Sequence, residues 1–253
     1  MATYKKKASK KTKTADVNIE QGSTTAEVFN TLDETASRSE SFVEKNQNII
    51  LYTIGILAVV ILGTIGYNKL VQEPKEMAAA DELAFPKAYF NEATNSNVAM
   101  DSLLNLGLEG ANGKYGFVDI SSEYSGTKAG NLANFYAGVS YLKLKDYTNA
   151  ISYLSNFSSE DLLLEAEAKS LIGDAFADIN QPEDALSFYM EAAGMKKNSA
   201  MTPLYLMKAG QTAMSLKEYK KAFNLFTELK EDYPTSDLAV NIDMYINKAK
   251  YSK

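Results

Sequence analysis

The sequence predicts an all-α protein: a single N-terminal transmembrane helix followed by an α-solenoid of helical hairpins. Three observations carry that expectation. Residues 49–67 read IILYTIGILAVVILGTIGY, nineteen residues without a charge. Beyond them, apolar residues recur at helical spacing in runs punctuated by Gly, Asn and Pro, with no convincing strands. Small residues also repeat at a near-constant interval three times over.

Composition narrows the chemistry. The 253 residues include 26 Lys+Arg and 32 Asp+Glu, a formal charge of −6, and no His, Cys or Trp. Without Cys there is no disulfide, thiolate nucleophile or Cys-ligated zinc. Without His there is no Ser-His-Asp or Cys-His catalysis and no imidazole ligand. Ser-Lys dyads need no His, but none stands in a recognisable motif. No catalytic residue, metal site or cofactor is therefore expected. The charge is uneven: residues 1–15 carry six Lys and no acid, residues 16–47 a net −5, and residues 68–253 a net −7. An acidic body whose sole arginine is Arg38 argues against nucleic acid as a partner.

In chain order, residues 1–25 are rich in Lys, Ser and Thr and are expected to form a disordered tail. A solvated topogenic role for its lysines is favoured over lipid binding. Residues 26–46 place Val28, Phe29, Leu32, Ala36 and Val43 at helical spacing with acids between them, which predicts a short amphipathic helix. Residues 47–69 form the expected span. Its apolar part covers about 28 Å at about 1.5 Å per residue, against a hydrocarbon core of about 30 Å. Tyr52 and Tyr67 sit near its ends, where amphipathic rings favour the interface. The 48 residues before the apolar run are too many for the n-region of a cleaved signal, so the segment reads as an uncleaved anchor. The Lys-rich start places the N-terminus in the cytoplasm and the body outside it. Gly63 and Gly66 are not at dimer-motif spacing.

Residues 70–128 read as a membrane-proximal helical cap. Helices are expected over 79–90, 98–108 and 115–124, with Pro86 interrupting and kinking the first. Residues 129–234 then hold three repeats. Gly138, Gly173 and Gly210 are followed twelve residues later by Ala150, Ala185 and Ala222, and sixteen later by Leu154, Tyr189 and Phe226. Gly on one helix and Ala on the next let the two helices of a hairpin approach closely, and aromatics fill the gap between neighbouring hairpins. Turns fall at residues 145–147, 180–182 and 217–219. Pro182 suits a first helical turn, Thr202 a cap before Pro203, and Ser236 the cap of a last helix within 235–253.

These spacings resemble the tetratricopeptide repeat, a unit of about 34 residues with small residues at these positions. The resemblance implies a concave groove lined by the first helix of each hairpin. Six and three residues before each Gly, and one, four and five after it, the groove would present Leu132, Phe135, Val139, Leu142 and Lys143. Next come Glu167, Ser170, Asp174, Ala177 and Asp178, then Leu204, Met207, Gln211, Met214 and Ser215. Two apolar ends would flank an acidic centre, suited to a peptide with apolar anchors and a basic residue. The competing reading is that flanking helices cover the apolar ends as ordinary core. Asp174 and Asp178, one turn apart, read as a solvated face rather than a cation site.

The order of Lys-rich tail, single anchor and repeat body, with residues 116–154 (GFVDISSEYSGTKAGNLANFYAGVSYLKLKDYTNAISYL) and 173–234, resembles bacterial membrane-anchored proteins of the YfgM-like type. That resemblance implies an ancillary subunit of the Sec translocon in the inner membrane, with a periplasmic repeat domain. It also implies a PpiD-like chaperone as partner and newly translocated polypeptides as clients. A scaffold for another envelope assembly machine and a regulator acting through the cytoplasmic tail are the alternatives.

Overall fold

A computed structural model of the chain describes residues 24–95 and 99–252. The expected disordered tail lies outside these residues but for its last two. The chain divides into two units, one ending at Ile65 and one beginning at Gly66.

The first unit is built on helix α1, Thr24–Tyr67. The sequence divides this stretch into an amphipathic helix and a span, but the backbone makes one helix, because nothing near residue 46 breaks it. Asn46 donates its side-chain amide to the Phe42 carbonyl at 2.8 Å, an i−4 bond that a continuing helix satisfies. Side chains from Ile54 to Ile65 are exposed throughout, so the apolar surface has no partner in this unit. This helix is long and apolar enough to cross a membrane. Its two internal hydroxyls are satisfied locally: Thr53 donates to the Ile49 carbonyl at 2.8 Å and Thr64 to that of Val60 at 2.8 Å. Such back-bonding suits an environment without water.

The second unit is all-helical among its described residues. A π-type turn, Asn68–Gln72, leads into α2, Glu73–Asn95. Pro86 does not interrupt this helix; it lies buried inside it, and Gly107 packs beneath its carbonyl. There follow α3, Met100–Glu109, and α4, Phe117–Glu123. Three hairpins come next: α5 (Lys128–Lys143) with α6 (Tyr147–Asn156), α7 (Leu162–Asp178) with α8 (Pro182–Met195), and α9 (Thr202–Ser215) with α10 (Tyr219–Asp232). The last helix, α11 (Ile242–Tyr251), packs on α10. Residue 98, expected to begin the second cap helix, lies outside the described residues.

Local chemistry sets the helix starts. Thr127 accepts from the Gly130 amide at 2.9 Å, Asp146 from Asn149 at 3.2 Å and Asp161 from Leu163 at 2.9 Å. Pro182 opens α8. Two expected caps differ. The Thr202 hydroxyl turns back to accept the Asn198 amide at 2.9 Å, and Met201 takes the cap position. Ser236 caps a single 3-10 turn, Asp237–Ala239, and α11 starts afresh beyond it.

Each hairpin turn ends its first helix in the same way. Lys145, Asn180 and Lys217 adopt φ of 63°, 60° and 60°. The next amide reaches five residues back, Asp146 to Tyr141 at 2.9 Å, Gln181 to Phe176 at 2.9 Å and Glu218 to Ala213 at 2.8 Å. This is the Schellman closure of a helix end. Across each hairpin Ala150, Ala185 and Ala222 are fully buried. A Cβ on Gly138 would meet Leu154, one on Gly173 Tyr189, and one on Gly210 Phe226. Two stacked aromatic pairs lie within hairpins, Tyr141 with Tyr153 and Phe176 with Phe188, both at 5.4 Å, and a third, Phe117 with Tyr136 at 5.3 Å, joins α4 to α5. Phe226 with Tyr245, at 5.3 Å, does bridge α10 to the last helix.

Candidate protein-binding face

The first helices α5, α7 and α9 carry every side chain that the sequence places in the groove. Their surroundings differ from one repeat to the next.

On α5, Leu132, Phe135 and Val139 pack against the cluster of Leu154, Phe157, Ala168 and Ile172, with the Phe135 and Phe157 rings 5.2 Å apart. This apolar end is half-buried because α7 closes against α5 and α6. Leu142 is half-buried and Lys143 exposed.

On α7 the acidic centre is already engaged. Glu167 accepts the Tyr205 hydroxyl at 2.9 Å. Asp174 accepts both the Lys208 ammonium at 2.8 Å and the Tyr189 hydroxyl at 2.7 Å. Lys208 also donates to Ser170 at 3.3 Å and stands 5.5 Å from the Tyr189 ring centre, within cation–π range. Burial, then the hydrogen bond to Asp174, holds the Tyr189 hydroxyl well above the usual tyrosine range. Burial and Glu167 do the same for Tyr205. Asp174 is thus the partner of a lysine, not a free cation ligand. Ala177 and Asp178 remain exposed, with the Tyr147 hydroxyl beside Asp178.

On α9, Met207 is only 8% exposed and belongs to the large core cluster with Leu206, Ala209 and Ala213. The expected adaptable thioether contact is therefore core, part of the cluster that α8, α9 and α10 build together. Leu204 and Met214 are half-buried; Gln211 and Ser215 are exposed. The exposed part of the predicted groove is Lys143, Ala177, Asp178, Gln211 and Ser215, with half-buried edges such as Leu142.

The sequence reading did not single out Lys208 or Tyr205 as partners of the acids. A signal existed. Asp174 stands one residue after Gly173 and Lys208 two before Gly210, so both lie near the glycine of adjacent first helices, within reach of each other.

A family model described as tetratricopeptide repeat matches residues 132–160 and 205–236. The chain carries tetratricopeptide repeats. The matched blocks take in most of the α5–α6 and α9–α10 hairpins. The hairpin between them keeps the same Gly–aromatic contact and the same left-handed turn residue. Comparison with curated proteins returned no match. Tetratricopeptide repeats are interaction scaffolds that hold proteins on extended faces.

Proposed function

We propose that this chain is a membrane-anchored, non-catalytic adaptor that binds proteins outside the cytoplasm. The observation that carries the reading is the combination in one chain of an unpartnered apolar helix and a repeat body. The six lysines of residues 1–15 support a cytoplasmic N-terminus and a repeat domain on the far side of a bacterial inner membrane. Within that reading the chain is an ancillary subunit of the Sec translocon, acting beside a PpiD-like chaperone on newly translocated polypeptides. The support is resemblance in chain order: Lys-rich start, single anchor, repeats. Residues 47–69 insert in the bilayer, and the open strip of the repeat face, from Leu142 and Lys143 to Gln211, meets the partner. The remaining groove residues, including Glu167, Asp174 and Met207, hold that strip in shape.

Two experiments test this in order. A periplasm-active reporter fused after Lys253 should be active, and activity of a cytoplasm-only reporter there would overturn the orientation. Mild detergent extraction followed by affinity capture should then recover Sec subunits. Their consistent absence, with another envelope assembly recovered instead, would replace the translocon reading while keeping the adaptor.

A further inference from the structure

The most distinctive surface of the second unit is not the repeat face. An open notch of about 820 Å³ lies at the end of α4 and along α5 and α6. That volume is within the range of small-ligand sites, about 300–1,000 Å³. It opens beyond the last turn of α4, which has only seven residues.

Its chemistry is unlike the rest of the chain. Ten of the fourteen lining residues are Ser, Thr or Asn, and Lys128 alone is charged. In a chain that is 23% charged, such a neutral hydroxyl and amide surface stands out. It offers donors and acceptors with a single cation, the exposed Lys128, so a phosphate or carboxylate would meet one counter-ion at most. Tyr153 is the one aromatic, half-buried and stacked on Tyr141.

The walls are held in place. From behind, Gln72 donates to the Gly126 carbonyl at 2.9 Å and Lys75 to that of Ser125 at 3.1 Å. The Glu76 carboxylate accepts the Lys128 and Ala129 amides at 2.8 and 3.2 Å. Across the notch the Asn131 amide is bonded twice to the Ser158 backbone, at 2.6 and 3.1 Å. On α6, by contrast, no hydrogen bond within the described residues occupies the side chains of Ser152 and Asn156. Ser121, Ser122, Thr127, Asn134 and Asn149 donate to neighbouring groups of the chain, which leaves the side chains of Ser125, Ser152, Asn156 and Ser158 on this fixed frame to bond a ligand.

We propose that this notch binds an uncharged, hydroxyl-rich ligand of the carbohydrate class. Sugar hydroxyls, like Ser and Asn side chains, donate and accept at once, so the two surfaces can satisfy each other without a charge. An extended polypeptide is the poorer fit, since the notch offers no apolar pocket for an anchoring side chain.

The test uses the full chain in nanodiscs of uncharged phosphatidylcholine, free of sugar-headed detergent. Cellohexaose, maltohexaose and the N-acetylglucosamine hexamer are titrated by calorimetry and saturation-transfer NMR. At least one should saturate with a Kd of about 1 mM or lower. The S152A/N156A double variant should weaken it about tenfold or more, and Ser152→Trp should abolish it by filling the notch. Both changes sit at exposed positions, and an unchanged helical signal and melting midpoint verifies the fold. No saturation by any of the three up to about 10 mM would overturn the proposal. So would binding that neither variant alters, or a notch that responds only to a reduced, unfolded polypeptide.

Discussion

Gly210 on α9 and Phe226 on α10 share one space: the Phe226 ring lies where a Cβ on Gly210 would stand. The same relation joins Gly173 to Tyr189, whose Cε1 would be 2.7 Å from an added Cβ, and Gly138 to Leu154 at 2.5 Å. In each repeat the glycine lets the second helix lay a large side chain across the first. Gly210→Ala should therefore destabilise by about 1–3 kcal/mol through overpacking, less about 1 kcal/mol of helix propensity. Gly194 on α8 has nothing within 4 Å of its added Cβ, so Gly194→Ala should be neutral or stabilising by up to about 1 kcal/mol. Thermal unfolding of both variants checks the contrast. Equal melting points would mean that the Phe226 ring yields.

The hairpin turns predict an effect of opposite sign. Lys145 and Lys217 occupy left-handed backbone, where an L side chain costs about 1–2 kcal/mol. Lys217→Gly should stabilise by about 1 kcal/mol, since the closure needs only the Lys217 and Glu218 backbone amides. For a domain of this size that is a rise of roughly 2–4 °C in melting point. Lys217→Val, β-branched at the same φ, should lower it. A fall for Lys217→Gly would show that the lysine side chain contributes more than its backbone strain costs.

Tyr189 and Tyr205 make the repeat body sensitive to high pH. Both hydroxyls are held above the tyrosine value of about 10 by burial first, then by hydrogen bonds to Asp174 and Glu167. A group raised in the folded state contributes stability that is complete below its unfolded pKa and is lost as pH rises towards the folded one. The Y189F/Y205F variant should thus be less stable than the parent at pH about 7, by about 1–3 kcal/mol for two lost hydrogen bonds. That deficit should shrink steadily above pH about 10. Chemical denaturation at a series of pH values measures it, and a deficit independent of pH would refute the linkage.

These positions also mark what could be read from the sequence. The glycines, their partners sixteen residues on and the turn sites were legible because each repeat states them locally, within one hairpin. The fate of the groove was not. Met207 occupies a groove position by its offset from Gly210, but it is buried in the cluster that α8, α9 and α10 build together. Asp174 reads as a free acid until α9 brings Lys208 across from the next repeat. Pro86 read as a break because α2 by itself gives no hint that α3 and α4 surround it. The Ser- and Asn-rich notch draws its lining from α4, α5 and α6 together, a juxtaposition that periodicity within one helix does not state.

Insertion of the span is a question of magnitudes. Residues 49–67 contain eleven Ile, Leu and Val, which at about −0.3 to −0.6 kcal/mol each favour insertion by roughly 3–7 kcal/mol. One arginine near the centre costs about 2.5–3.5 kcal/mol and also removes one apolar contribution. Val59→Arg should therefore leave insertion marginal, with part of the protein still resistant to alkaline extraction of membranes. The Leu57→Arg/Val60→Arg pair, costing about 5–7 kcal/mol, should release nearly all of it. Thr53→Val should change nothing, because the Thr53 hydroxyl is already satisfied by the Ile49 carbonyl. Full retention of the double-arginine variant in the alkali-resistant fraction would mean that these residues do not anchor the chain. The repeat body would then have to reach the membrane through a partner.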